Sequence, residues 1–243
     1  MTDVFDLDDL LTRYQVPDRS RTHLRTNFVT SLDGAATHNG LTQGLNNEAD
    51  HQVFHTLRML ADVVLVGAGT VRNEGYEELT VTDARADWRT AQGWPPHPVM
   101  AVVSRTLDLD PGAPLFTRAP VRPIVFTTTE APEGPRSRLG EVADVVSAGS
   151  GSVEPGQVVA ELTRRGLPQI LSEGGPAWFA TMIEHDAVDE MCLTLSPLLE
   201  GGDATRIVRD GRQRTSAMSL LSLLRAEDML ILRYVRPELA PAG

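Results

Sequence analysis

Two short glycine runs stand where this chain could grip an anion by its backbone. Gly67-Ala68-Gly69-Thr70 follows the apolar run Val63 to Val66, and Ser172-Glu173-Gly174-Gly175-Pro176 follows Gln169-Ile170-Leu171. Glycine has no Cβ, so the backbone can bend sharply there and approach a ligand. A strand that stops at such a loop aims amide donors at a phosphate, and Thr70 adds a hydroxyl. Pro176 suits the first position of a following helix, where its missing N–H costs nothing. A lone G-x-G is equally a tight strand-to-helix turn. Two copies make two donor clusters, enough to hold a pyrophosphate from both sides, and a dinucleotide is the natural guest.

The remaining chemistry is constrained by what is absent. All 22 basic residues are arginines, which rules out a Schiff-base lysine, a pyridoxal-phosphate anchor and a phosphate-loop lysine. Phosphates and carboxylates must then be met by backbone amides or by the planar fork of Arg. Cys192, the single cysteine, lies in the apolar run Met191-Cys192-Leu193 and reads as buried and inert. His51 and His55 have helical zinc-like spacing, but Gln52 stands where a metalloprotease would have Glu. Together with Arg58 they read as a solvated helix face, and no metal is expected.

Charge and composition exclude other classes. A formal charge of −11 argues against a nucleic-acid partner. No apolar run reaches the roughly 18 residues of a membrane span, and the acidic start Met1-Thr2-Asp3-Val4 lacks the features of a signal peptide. One cysteine excludes an internal disulfide and fits a reducing cytoplasm.

The elements that must position the glycine runs alternate in type. Residues 1–20 form an arm, with Phe5, Leu7, Leu10, Leu11 and Tyr14 on one short amphipathic helix ended by Pro17. Residues 22–31 read as the first core strand, closing in the turn Asp33-Gly34; Asp33 would stand at the lip of a cleft or merely make the turn. Residues 37–46 look like a small polar flap. Asn46 or Asn47 caps a helix to about Leu60. After Gly67–Thr70 the chain is irregular through Pro98. Strands then follow near 99–103, 124–127, 142–146, 189–195 and 229–235, with helices at 132–140, 158–165 and 177–185 and an amphipathic stretch at 217–225. The class is α/β with a mostly parallel sheet, one domain over residues 21–238.

Gly67-x-Gly69 is not a Rossmann fingerprint, because Arg72 occupies the third glycine position. The chain instead resembles the dihydrofolate-reductase-like superfamily, and within it the pyrimidine reductases of riboflavin biosynthesis. Four segments carry the likeness: Ser31-Leu32-Asp33-Gly34, His55 to Val71, Ser172 to Pro176, and Val188 to Gly202. The resemblance implies a three-layer α/β domain with helices on both faces of a mixed, mostly parallel sheet. It also implies an NADPH-dependent reductase that acts on a phosphorylated pyrimidine and forms a homodimer. By position, Val29, Thr70, Arg105 and residues 175–181 would hold the cofactor, with Ser104 as a helper. Thr42, Arg58, Leu79 and Glu173 would contact substrate, and Asp33 and Glu74 occupy the family's acidic positions beside the nicotinamide. Without lysine, a cofactor 2′-phosphate needs an arginine, Arg105 first and Arg72 second.

Three departures stand out. The zinc-binding set of a deaminase half is missing, which implies a stand-alone reductase. Asn27 replaces a family lysine. The run Glu74-Gly75-Tyr76-Glu77-Glu78-Leu79-Thr80-Val81-Thr82 lacks the family's terminal Arg, a substrate phosphate contact. A pterin-type substrate, or a non-catalytic NADPH-binding protein, is therefore the alternative. Hydride chemistry belongs to the nicotinamide. Asp33 or Glu173 is expected to assist protonation, with no basis in the sequence for choosing between them.

Overall fold

The computed structural model describes residues 4–240. Its organising element is β2 (Val63–Gly67), every residue of which is buried. A continuous Val-Val-Leu-Val run has no polar side to show water, so it needs cover on both faces. Alternate residues feed two separate cores: Val64 and Val66 pack into one layer, Val63 and Leu65 into the other. Each such side chain contributes about 1.5–3 kcal/mol on burial.

Around β2 the chain builds one nine-stranded sheet in the order β5-β4-β3-β2-β6-β1-β7-β9-β8. Its other strands are β1 (His23–Thr30), β3 (Val99–Val103), β4 (Ile124–Thr127), β5 (Asp144–Ser147), β6 (Gln169–Ser172), β7 (Glu190–Leu195), β8 (Ser219–Ala226) and β9 (Met229–Val235). All neighbours are parallel except β9, which runs antiparallel to both β7 and β8. Helices cover both faces, as the α/β reading expects. The layer containing Val64 also takes α1 (Leu7–Tyr14) and α2 (Glu48–Leu60); the opposite layer takes α7 (Pro155–Arg164) and α8 (Pro176–Glu184).

Short helices α3 (Ala68–Glu74), α4 (Asp83–Ala91), α5 (Pro114–Thr117) and α6 (Glu133–Val142) complete the chain order. Two differ from the sequence reading. Gly67 to Thr70 is not a loop: Gly67 ends β2 and caps α3, and Ala68, Gly69 and Thr70 are already helical. Helix α4 occupies part of a stretch expected to be irregular. Its anchor is Arg89, 1% exposed, which donates to the carbonyls of Met59, Ala61 and Pro95 at 2.6–2.8 Å. An element held by a buried guanidinium leaves little apolar period to read. The amphipathic stretch near 217–225 is the edge strand β8, paired with β9 through a register shift at Leu220/Ser222.

The arm begins outside the described residues at 1–3, and α1 then buries Leu10, Leu11 and Tyr14. Its last carbonyls meet a buried cluster beneath. Arg25 donates to the Tyr14 carbonyl at 2.7 Å, and Arg233 to that of Arg13. Cations at a helix C-terminus are favourable. Between them sits Glu190, fully buried, bound by Arg25 (2.6 Å), Arg233 (2.7 and 2.8 Å) and His23 (2.9 Å).

Candidate active site

The sheet order changes direction around β6 and β1, since the chain fills β2 to β5 outward on one side and β7 to β9 on the other. Loops leaving the carboxyl ends of parallel strands diverge at such a point and leave a crevice. Here the segments after β1, β2, β3 and β6 enclose a cleft of about 890 Å³. That is at the upper end for small-molecule sites.

The two glycine runs meet at its centre. The Gly67 amide donates to the Gly174 carbonyl at 3.1 Å, and the Glu173 amide to the Leu65 carbonyl at 3.1 Å. A Cβ on Gly175 (φ +99°) would lie 3.1 Å from the Gly67 Cα, and one on Gly67 3.3 Å from the Gly175 Cα. These two glycines therefore let the turns pack on one another, a tighter demand than ligand approach. Gly69 differs: its absent Cβ would meet nothing within 4 Å, and it faces the open cleft. Gly174, Gly175 and Pro176 line the cleft opposite Gly67, Gly69 and Thr70, with Pro176 at the first position of α8 as expected.

Beside the glycine turns lies a buried ion pair. Arg58 of α2 grips Glu173 with a two-point fork, both distances 2.6 Å, and the Tyr76 hydroxyl donates to the same carboxylate at 2.9 Å. The Arg58 guanidinium also stacks 4.2 Å from the Phe54 ring centre. Burial disfavours its charge, but Glu173 more than offsets that and holds the pKa above its ordinary value. Burial and the Glu173 anion raise the Tyr76 hydroxyl well above its ordinary value. So the face read as solvated is a cleft wall. His55 on it is half-buried, and burial, then Arg85 and Arg58, depress its pKa to about 4.

Comparison with known proteins rests on this frame. Residues 22–232 match the RibD C-terminal domain. The chain belongs to that family. A 2,5-diamino-6-ribosylamino-4(3H)-pyrimidinone 5′-phosphate reductase from Archaeoglobus fulgidus is 30% identical over 79% of this chain and 87% of its own length. The enzyme of the same name from Aquifex aeolicus is 28% identical over 74% of this chain and 76% of its own length. A pyrimidine reductase-like protein from Corynebacterium diphtheriae shares the fold, with a TM-score of 0.86 and 22% identity over 95% of this chain and 98% of that one. This RibD-family chain is a reductase, and the family implies a nicotinamide cofactor.

Against that identity the expected site residues sort clearly. Val29, Thr42, Glu74 and Leu79 line the cleft, and the Thr42 hydroxyl donates to Glu74 at 3.2 Å. Ser104 lines it while buried; Arg105 lines it exposed, its guanidinium without a partner among the described residues. Arg72 also lines it but donates to the Asp108 carbonyl at 2.8 Å.

Asp33, the other expected acid, stands apart from these residues. It is exposed and not among the lining residues. Its carboxylate accepts the Ser31 hydroxyl and the amides of Glu200 (3.1 Å) and Gly201 (2.7 Å), stapling the β1 turn to the loop after β7. Those bonds, the Ser31 hydroxyl first, lower its pKa to about 2. Glu173 lies in the cleft, but with both oxygens engaged it suits holding Arg58 better than donating a proton.

Three lining features of this RibD-family site escaped the sequence reading: Tyr76, Asp50, and the loop bearing Thr205, Ile207 and Arg209. Asp50 is three residues after the Asn47 cap, where an acidic residue reads as helix-start chemistry. Tyr76 was visible only as a departure from the family's run. Nothing local marks residues 205–209, which reach the cleft because the Arg209 amide donates to the Pro176 carbonyl at 3.2 Å.

Proposed function

We propose that the chain uses NADPH to reduce the ribosylamino group of a phosphorylated pyrimidine of the kind named for its relatives. What carries this reading is that Val29, Thr42, Arg58, Thr70, Leu79, Arg105 and Glu173, from seven separate segments, line one cleft. The fit for a dinucleotide rests on Gly69, where a missing side chain opens the wall, and on the start of α8 facing it.

When bound, the cofactor supplies the hydride. The protein's own share is alignment and exclusion of water. The amides of Gly69, Thr70, Gly174 and Gly175 would hold the pyrophosphate. Arg105, unpartnered, takes the 2′-phosphate in preference to Arg72, which Asp108 already holds. The Glu173 carboxylate fixes the Arg58 fork, and Arg58 with Thr42 and Leu79 orients the substrate. The domain spans 21–238, α1 of the arm at 1–20 is laid against it, and the setting is the cytoplasm.

Homodimerisation fits the far face of the β7-β9-β8 meander. Register puts Met191, Tyr234 and Leu220 on one side with Leu193, Leu232 and Leu223. Leu220 and Leu223 are about half exposed, at 53% and 50%.

The test follows oxidation of NADPH and of NADH with 2,5-diamino-6-ribosylamino-4(3H)-pyrimidinone 5′-phosphate, with dihydropterin as the competing substrate. Turnover of the pyrimidine with NADPH preferred is the expected result; turnover of dihydropterin alone sinks the reading. Arg105→Ala should weaken NADPH about 10- to 150-fold, the equivalent of about 1.5–3 kcal/mol for a charge-assisted contact, and leave NADH unchanged.

A further inference from the structure

One buried carboxyl group in the cleft makes no ion pair among the described residues. Asp50 stands in the first turn of α2, its amide donating to the Asn47 side chain at 3.1 Å. The residue lines the cleft while only 7% exposed, and one of its carboxyl oxygens accepts the Thr194 hydroxyl at 2.5 Å. No ion pair reaches it among the described residues. Thr194 pairs in register with Val29, and Asn27, two residues earlier on the same side of β1, also lines the cleft. So Asp50 lies beside the strand end where the cofactor is expected.

The other acids of the cleft are differently placed. Glu173 is spent on Arg58 and Tyr76. Glu74 is half-buried and bound by Thr42, Glu78 pairs with Arg118 at 2.9 Å, and Glu77 is exposed. Asp50 alone combines burial and cleft access with the lack of an ion pair among the described residues.

We propose that Asp50 is the proton donor of the reduction, delivering its proton to the nitrogen of a C=N group whose carbon accepts the hydride. This rests on the pyrimidine-reductase reading above. The hydride pair, supplied by a reduced nicotinamide, becomes the new C–H bond. The C=N π pair forms the N–H bond with the Asp50 proton, and the carboxylate left behind is reprotonated from water through the open cleft.

The electrostatics lean in the same direction. Burial raises the Asp50 pKa, opposed by the Thr194 hydrogen bond and by His51. The start of α2 also favours the anion, by about 0.3–1 kcal/mol. On the elements packed nearby, Arg25 of β1 and Arg233 of β9 both pair with Glu190 of β7, a cluster that keeps one net positive charge, and Asp9 and Arg13 of α1 pair together at 2.7 Å. His51, one residue along α2, is the neighbour whose charge reaches Asp50.

The deciding experiment begins on the protein without ligand, labelled with ¹³C at aspartate carboxyls. One resonance, absent from Asp50→Asn, should titrate above the ordinary Asp value of about 3.9. Thr194→Val, which removes a bond favouring the anion, should move it higher and carry the kcat pH profile with it. Asp50→Asn should lower kcat about 100-fold with an unchanged Kd for NADPH. An Asp50 resonance at or below the ordinary value, or full kcat in Asp50→Asn, overturns the proposal. The titration needs no substrate, so a parent inactive on the pyrimidine would refute the functional reading separately from it.

Discussion

Two buried carboxylates on the same face of the sheet have opposite fates. Glu190 and Thr194 both point from β7 toward the α1 and α2 layer, four residues apart. Glu190 is enclosed by Arg25, Arg233 and His23. Burial pushes its pKa up, but Arg25, the His23 hydrogen bond and Arg233 together hold it well below the carboxylate range. Asp50, lodged against Thr194, has one neutral donor, and burial wins. The difference teaches that burial alone does not decide protonation; the count of cations within reach does. Deep under the arm the chain holds a permanent anion, and at the cleft it keeps a group able to exchange a proton.

The largest test of this contrast is Glu190→Gln. It leaves Arg25 and Arg233 buried without their counter-charge, which should cost about 3–5 kcal/mol. Denaturant unfolding with a fixed slope measures it; a loss under about 1 kcal/mol would mean the arginines relax into water. The pH dependence adds a sign. A depressed pKa contributes stability that is present above the ordinary Glu value of about 4.3 and lost as pH falls toward the folded value. Glu190→Gln should therefore flatten the acid limb of the stability profile.

Glu173→Gln comes next. It removes the counter-charge of Arg58, whose side chain keeps 17% exposure and so recovers some hydration. A loss of about 2 kcal/mol is expected, less than at Glu190, together with a raised KM for the pyrimidine. Equal losses at the two sites would erase the distinction between a structural and a cleft-facing pair.

Asp50→Asn should sit at the other extreme, with no loss of stability at neutral pH. A raised acid pKa contributes stability present below the ordinary Asp value and lost as pH rises through the folded value, so the amide removes a penalty there. Melting temperature against pH, parent beside variant, reads this directly. A marked drop at pH 7 would show that the Asp50 anion is structurally required. Tyr76→Phe falls between these, with a loss of about 1 kcal/mol for one hydrogen bond to an anion that keeps its guanidinium partner.

Periodicity and turn chemistry made most of the sheet legible. Val63–Gly67 reads as a strand because its apolar run admits only two-sided cover, and Pro176 marks the start of α8 because its ring fits nowhere else nearby. Local chemistry also nominated the two glycine runs, whereas Arg58 and Glu173 entered through the family resemblance. What it could not do was choose among roles. Asp33 and Glu173 looked alike as candidate acids, and only the fold showed one stapling a turn to Gly201 and the other closed on Arg58. Asp50 looked like an ordinary helix-start residue, and Arg89 hid α4, because each is defined by a partner far along the chain: Thr194 for one, the Met59 carbonyl for the other. Strand and turn preferences are settled by near neighbours and survive in the sequence. Protonation and ion pairing depend on distances between segments, and those exist only once the sheet has brought them together.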